Sequence, residues 1–202
     1  MTADFPAPAG VRTHPDSGHG FELVDLGPAD LGELLDLQAE TLSILKGSPV
    51  LRENSATMFA RCLAAPEHRV LGWRKNRLLV AVAILYDART SDESVRKYLT
   101  SDRSALAASV NLKLVIARGG FRRANLSRSL VAELERTAAS RGKQEVLATI
   151  HPDNTASRGL FESLGYHEVG QASTSYGLRL IYRRPLDSSD TAFAATHTKE
   201  SN

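Results

Sequence analysis

Cysteine is nearly absent: Cys62 is the only one in 202 residues. An intrachain disulfide and a thiolate zinc cluster are therefore excluded. Aromatic residues are sparse, at 6%, and form no row of the kind that stacks on RNA bases. No apolar run approaches the ~20 residues that a helix needs to cross a bilayer. The opening MTADFPAPAGVRTHPDSGHG lacks the apolar core of a secretion signal. An excess of charge is missing too. The formal net charge of +2 is too small to mark a nucleic-acid binder by itself. The histidines show no ligand spacing, so no metal is expected. The reading left by these absences is a soluble, cytoplasmic protein with neither membrane nor nucleic acid as partner.

What is present is an ordinary globular balance of 42% apolar and 24% charged residues, enough for one domain with tails. Residues 1–19 are rich in Pro, Gly, Ala, Asp and His without periodicity and read as a disordered arm. Residues 187–202 read as a disordered tail, which leaves 20–186 as the folded domain. Within it FELVDL (21–26) alternates like a strand. Pro28 then opens a helix with Leu31, Leu34, Leu35 and Leu42 on one face. A second helix is expected over 54–63, with Met58, Phe59 and Cys62 inward. Cys62 reads there as a small core residue.

Two strands, 69–74 and 78–87, flank a polar hairpin tip, Lys75-Asn76-Arg77. The spacing predicts a helix over 91–101, a buried strand over 110–117 and a long helix over 125–141. That helix carries Leu126, Leu130, Val131, Leu134 and Ala138 on one face, and Gly142 stops it. A strand (145–150), a helix capped by Asn154 and two closing strands (166–170 and 176–184) follow. The order β α α β β (α) β α β α β β predicts an α/β layer with a mixed sheet.

The strand VNLKLVIA runs into RGGFRRANLSRSL and then into the long helix. A glycine-containing loop that feeds a helix N-terminus gathers backbone N–H groups, and the helix dipole adds to their pull on an anion. Arg118, Arg122, Arg123 and Arg128 crowd this place. Guanidinium groups suit a pyrophosphate or a sugar phosphate. The alternative is a solvated loop with basic decoration. No G-K-[ST] stands at the turn, which argues against a P-loop. A third glycine and a closing acidic residue are missing, which argues against a Rossmann dinucleotide site.

Two segments at a fixed spacing go further. The loop Arg122-Arg123-Ala124-Asn125-Leu126-Ser127 is followed, one strand later, by Asn154, Ser157, Phe161 and Leu164-Gly165-Tyr166. Together they resemble the acyl-CoA binding core of the GNAT (GCN5-related N-acetyltransferase) family. In that family the loop reads approximately R/Q-x-x-G-x-G/A. The later segment is an Asn, a small residue three on, an aromatic seven on, and then Leu-Gly-Phe or Leu-Gly-Tyr. The likeness spans residues 114–170. It implies an α/β (α+β) fold with a mixed, mostly antiparallel central sheet flanked by helices, and acetyl-CoA as cosubstrate.

The resemblance also implies roles. Val115, Ile116 and Ala117 would pair with the pantetheine amides as a bound extra strand does. Backbone N–H groups from Arg122, Arg123, Ala124, Asn125, Leu126 and Ser127, with Arg128 beside them, would hold the pyrophosphate. Asn125 and Ser127 stand where the family has glycines, and Asn tolerates a positive φ better than most residues. Asn154 would touch the pantetheine arm as well as cap its helix. A cap alone is the other reading of that residue.

Many family members have a tyrosine at the position of Phe161, and it protonates the departing thiolate. Phe161 has no ionisable hydrogen. Three readings stay open. The thiolate leaves unprotonated, which a thiol of pKa ~8.5 tolerates. Water or Ser157, one turn earlier, supplies the contact. Or catalysis is lost. Ser157 and His151 are thus the catalytic candidates, and for the base it is His151 or water relaying a proton to solvent. His151 lies at a strand end and titrates in the right range, although a His before Pro-Asp-Asn is also a turn residue. Glu93, Glu40 and Tyr98 lie in segments that border an acceptor groove, and Tyr176, Arg179 and Tyr182 alternate on the last strand. Trp73 and Tyr166 read as packing residues. The activity so implied is transfer of an acetyl group to a primary amine of a small molecule, directly in a ternary complex. The rival is a CoA-binding regulatory or interaction domain without turnover. The chain is expected to be a monomer or a homodimer.

Overall fold

The structure, a computed structural model, describes residues 12–13, 20–121 and 125–186. Its strands are β1 (Arg12–Thr13), β2 (Phe21–Asp25), β3 (Arg69–Lys75), β4 (Leu78–Tyr86), β5 (Ser109–Ala117), β6 (Glu145–Ile150), β7 (His167–Thr174) and β8 (Gly177–Pro185). Its α-helices are α1 (Leu31–Leu45), α2 (Ala56–Ala64), α3 (Arg103–Ala107), α4 (Leu126–Ser140) and α5 (Thr155–Ser163). All strands join one sheet in the order β1-β2-β3-β4-β5-β6-β8-β7. Every neighbouring pair is antiparallel except β5 and β6, which run parallel. The mixed, mostly antiparallel sheet expected from the sequence is the one the chain forms. Within the expected N-terminal arm, Arg12 and Thr13 pair with Leu23 and Glu22. The rest of 1–19, and 187–202, lie outside the described residues.

The apolar run Leu78–Tyr86 puts β4 at the centre of the sheet, covered on both faces. On one face α4 sets Leu126, Leu130, Val131, Leu134 and Ala138 against Leu71, Ala83 and Val110. On the other, α1 and α2 set Leu34, Leu37, Phe59 and Cys62 against Val70, Val82 and Ile84. Burial pushes the Cys62 thiol up to about 11, which fits its expected place as an inert core residue. The β3–β4 hairpin closes through Asn76 and Arg77, both at positive φ (50° and 70°), the two-residue geometry that matches strand twist. The helix α4 ends as expected. Gly142 takes φ 72°, and the N–H groups of Gly142 and Lys143 bond back to the carbonyls of Ala139 and Ala138.

Three local expectations are corrected. The buried stripe of α1 is Leu34, Leu37, Gln38 and Thr41, while Leu31, Leu35 and Leu42 are only half-buried. Two polar residues hold that stripe because both are satisfied: Gln38 bonds the backbone of Asn54 in both directions and Thr41 donates to the Leu37 carbonyl. The helix α2 starts two residues later than expected, at Ala56, with the Ser55 hydroxyl accepting from Met58 N. Residues 91–101 form no α-helix. They give a short 3-10 turn, Val95–Tyr98, capped by Ser94. The Ser91 hydroxyl accepts from Glu93 N and the Ser94 hydroxyl from Arg96 N, and such local bonds compete with helix formation.

Candidate functional site

The site begins where two parallel strands part. Register pairs between β5 and β6 run from Ser109↔Glu145 to Leu112↔Ala148 and stop. Both strands continue, β5 to Ala117 and β6 to Ile150. At the same place the β4–β5 pairing slips, from Leu85↔Leu112 to Ile84↔Leu114, so Lys113 is an extra residue on β5. A bulge of this kind bends its strand and adds twist. It turns the end of β5 away from β6 and opens a cleft of about 560 Å³. One wall comes from the loop before α2 and from α2 itself, a second from residues 92–98, and a third from β6, α5 and the β7–β8 hairpin.

Of the residues expected at the site, Val115, Asn154, Ser157 and Phe161 line this cleft. Ile116 and Ala117, on the same strand end, are buried. Arg122, Arg123 and Ala124 lie outside the described residues. Asn125 stands at φ 54° as the N-cap of α4, with no side-chain cap bond. It thus occupies the left-handed region that favours glycine. Leu126 is buried in the core and Ser127 half-buried. Arg128 bonds the Ser163 carbonyl and hydroxyl, which ties the start of α4 to the end of α5. Arg118 is an internal brace: Nε donates to the Leu79 carbonyl and the guanidinium pairs with Glu40. Neither Glu40 nor His151 lines the cleft. His151 Nδ1 accepts from the Asp153 backbone, so its contact is that of a turn residue.

Asn154 works at both ends of its amide. Its Oδ1 accepts from Ser157 N and its Nδ2 donates to the Val50 carbonyl, 3.3 Å away in the loop before α2. At the other end of α5, Gly165 (φ 84°) and Tyr166 return their N–H groups to Glu162 and Phe161. The Phe161 and Tyr166 rings meet edge to face at 4.9 Å. This is a left-handed helix stop with the apolar contact that accompanies it. The stretch Phe161 to Tyr166 is thereby explained as architecture that sets one aromatic face into the cleft.

Residues 99–175 match the model of the family described as FR47-like protein. Solved structures with the same architecture include an N-acetyltransferase from Staphylococcus aureus Mu50, at TM-score 0.65 and 14% identity, covering 83% of this chain and 99% of that one. A GCN5-related N-acetyltransferase from Kribbella flavida matches at TM-score 0.63 and 18% identity, over 84% and 100% of the two chains. The yncA protein of Salmonella typhimurium, solved with its cofactor acetyl-CoA, matches at 0.62 and 19%, over 83% and 95%. The chain has the fold of these N-acetyltransferases. No curated protein matches it by sequence.

The cleft holds two charged groups. At the bulge, the Glu93 carboxylate takes bonds from Arg61 Nη2 at 2.8 Å to both oxygens and from the Tyr86 hydroxyl, with Lys113 Nζ at 3.4 Å. Desolvation opposes ionisation of Glu93. The bonds from Tyr86 and Arg61 and the Lys113 charge outweigh it and pull the carboxyl down to about 2. Burial, and then Glu93, push the Tyr86 phenol up. Lys113 also stands 3.8 Å from the centroid of the Tyr86 ring.

The second group is at the hairpin. The guanidinium carbons of Arg52 and Arg179 lie 4.3 and 4.9 Å from the centroid of the Tyr176 ring. Arg179 also holds the carbonyls of Pro49 and Leu178. Tyr182, expected beside Tyr176 and Arg179, points elsewhere. It is buried and bonded to Arg158 and Glu162. Sequence reasoning singled out Glu93, Tyr98, Tyr176 and Arg179 but not Arg52, Arg61 or Lys113. Only Lys113 carried a signal, as the one charge inside an otherwise near-apolar strand.

Proposed function

We propose that the chain transfers an acyl group, most simply acetyl, from acetyl-CoA to a primary amine of a small molecule. The observation that carries this is the parted β5–β6 pair, which leaves the far half of β5 unpaired on its β6 side and facing a cleft. An extended arm with amides is the natural partner of such an edge. Val115, Ile116 and Ala117 fit that role. The N–H groups of Leu126 and Ser127, at a helix start without a side-chain cap, fit an anion. Bound there, acetyl-CoA supplies a thioester carbonyl for the amine to attack, so that the C–N bond forms, the C–S bond breaks, and the amine gives up a proton.

The chain's own contribution is placement. Phe161 presents a ring without a hydrogen-bond donor, so Ser157 or water is left to meet the departing sulfur. Glu93 is already bonded by Arg61 and Tyr86 and its conjugate acid is strong, so it is a poor base. It is better suited to shaping the acceptor side of the cleft, and proton loss to water suffices. The site carries no requirement for a metal, and a cytoplasmic location suits an acyl-CoA user. A second reading, CoA binding without turnover, is favoured by Phe161.

Calorimetric titration of the full chain with acetyl-CoA and desulfo-CoA tests the first step, with Arg122→Glu/Arg123→Glu as control. Binding that the charge reversal abolishes, followed by thiol release on adding amines, is the expected result. Binding with no release from any amine establishes the second reading. No binding at millimolar ligand defeats both.

A further inference from the structure

The acceptor itself is open in the proposal above, and the hairpin end of the cleft bears on it. Arg179 is only 4% exposed. A buried guanidinium is ordinarily matched by a carboxylate. Here its protein partners are two backbone carbonyls, Pro49 and Leu178, and no carboxylate pairs with it among the described residues. Arg52 shares the same ring and likewise has no carboxylate partner among them. Desolvation lowers the Arg179 pKa; Tyr176 opposes this and the Arg52 charge adds to it.

The acids that line the same cleft do not neutralise this pair. Glu93 is taken by Arg61, Tyr86 and Lys113, and no ion pair links Asp92 to either arginine among the described residues. The cationic lining residues, Arg52, Arg61, Lys97, Lys113 and Arg179, thus outnumber Asp92 and Glu93. The two arginines also come from different walls: Arg52 from the loop before α2, Arg179 from β8. A group held between them would be fixed relative to the strand end where acyl transfer is proposed.

We infer that Arg52 and Arg179, from two walls of the cleft and joined by Tyr176, form a carboxylate-recognition site, so that the acceptor is an amine that also carries a carboxylate. The guanidinium fork matches a planar carboxylate through paired N–H···O bonds. Contact with the Tyr176 ring keeps both forks in place. This inference deepens the proposed acyl transfer and rests on it for the identity of the second group, the amine. The anion site itself is open to measurement without turnover.

Melting curves of the full chain, taken with the twenty amino acids and with their carboxamides at matched ionic strength, test it. Sodium acetate and phosphoethanolamine are the control arms. Thiol release from acetyl-CoA is followed on the same panel. At least one free amino acid should raise the melting temperature and its carboxamide should not. Arg52→Gln, on an exposed side chain, should remove that difference and raise the acceptor KM about tenfold or more, with the acetyl-CoA KM unchanged. Arg179→Lys, which keeps the charge but loses the fork, should weaken the same response. Equal shifts from acids and amides, a response to phosphoethanolamine alone, or no shift from any member overturns the carboxylate site. Carboxylate-dependent shifts without thiol release leave the site standing and sink the transfer. Thiol release that ignores the carboxylate does the reverse.

Discussion

Glu93 concentrates the electrostatics of the cleft in one side chain. Its carboxyl is drawn from 4.5 to about 2 by donors that outweigh desolvation. An acid with a depressed folded pKa contributes stability that is complete above its unfolded pKa and lost as pH falls through the folded one. The window is therefore pH 4.5 down to about 2. Glu93→Gln should lower stability at neutral pH and flatten the acid loss across that window. The side chain is 40% exposed, so solvent screening holds the effect to about 1 kcal/mol or less. Urea unfolding of both proteins at pH 7, 5, 4 and 3 checks this, and parallel curves would exclude Glu93 as a source of acid sensitivity. None of this was visible in the sequence. Arg61, Tyr86, Glu93 and Lys113 come from four separate segments, and only the folded chain makes them neighbours.

The helix α5 shows how much an element can reveal before its surroundings are known. Asn154 as a cap and Gly165 as a stop were legible, because both follow from backbone chemistry within a few residues. The hydrogen bond from Asn154 to Val50 was not, since it joins residues far apart in sequence. The same division explains residues 91–101. Their acidic start and serine cap looked helical, yet local side-chain bonds and the packing of Val95 and Leu99 against Leu147 and Ile181 fixed a shorter turn. The two ends of α5 are therefore expected to respond differently. Asn154→Ala should cost ~1 kcal/mol of stability through the lost cap, and Gly165→Ala ~1–2 kcal/mol through the left-handed strain. Only Asn154→Ala should also raise the acceptor KM, because only it releases the loop that carries Arg52. Urea unfolding beside acceptor saturation curves would show this. Equal KM changes in both variants would mean that the Val50 bond positions nothing.

At the scale of the molecule, the sheet is two halves joined at a narrow seam. The strands β1–β5 and the strands β6–β8 meet only through the four register pairs from Ser109↔Glu145 to Leu112↔Ala148. The alternating and continuous apolar patterns announced each strand, but no pattern announced where the seam would end. That depends on a one-residue bulge at Lys113, which leaves no glycine or proline to mark it. Beyond the seam β5 stays paired with β4, and the alternate N–H groups of residues 113–117 that point the other way meet no neighbouring strand among the described residues. These amides should exchange with solvent through small local openings, whereas those of the seam open only with the fold. A ligand that pairs with the strand end closes the local route, while its general stabilisation, RT ln(1 + [L]/Kd), reaches every amide. Hydrogen exchange with and without saturating acetyl-CoA should therefore slow residues 113–117 and 126–128 more than the seam residues 109–112. Protection spread evenly over both stretches would mean that the ligand stabilises the fold from elsewhere, and that the parted strands are not its binding edge.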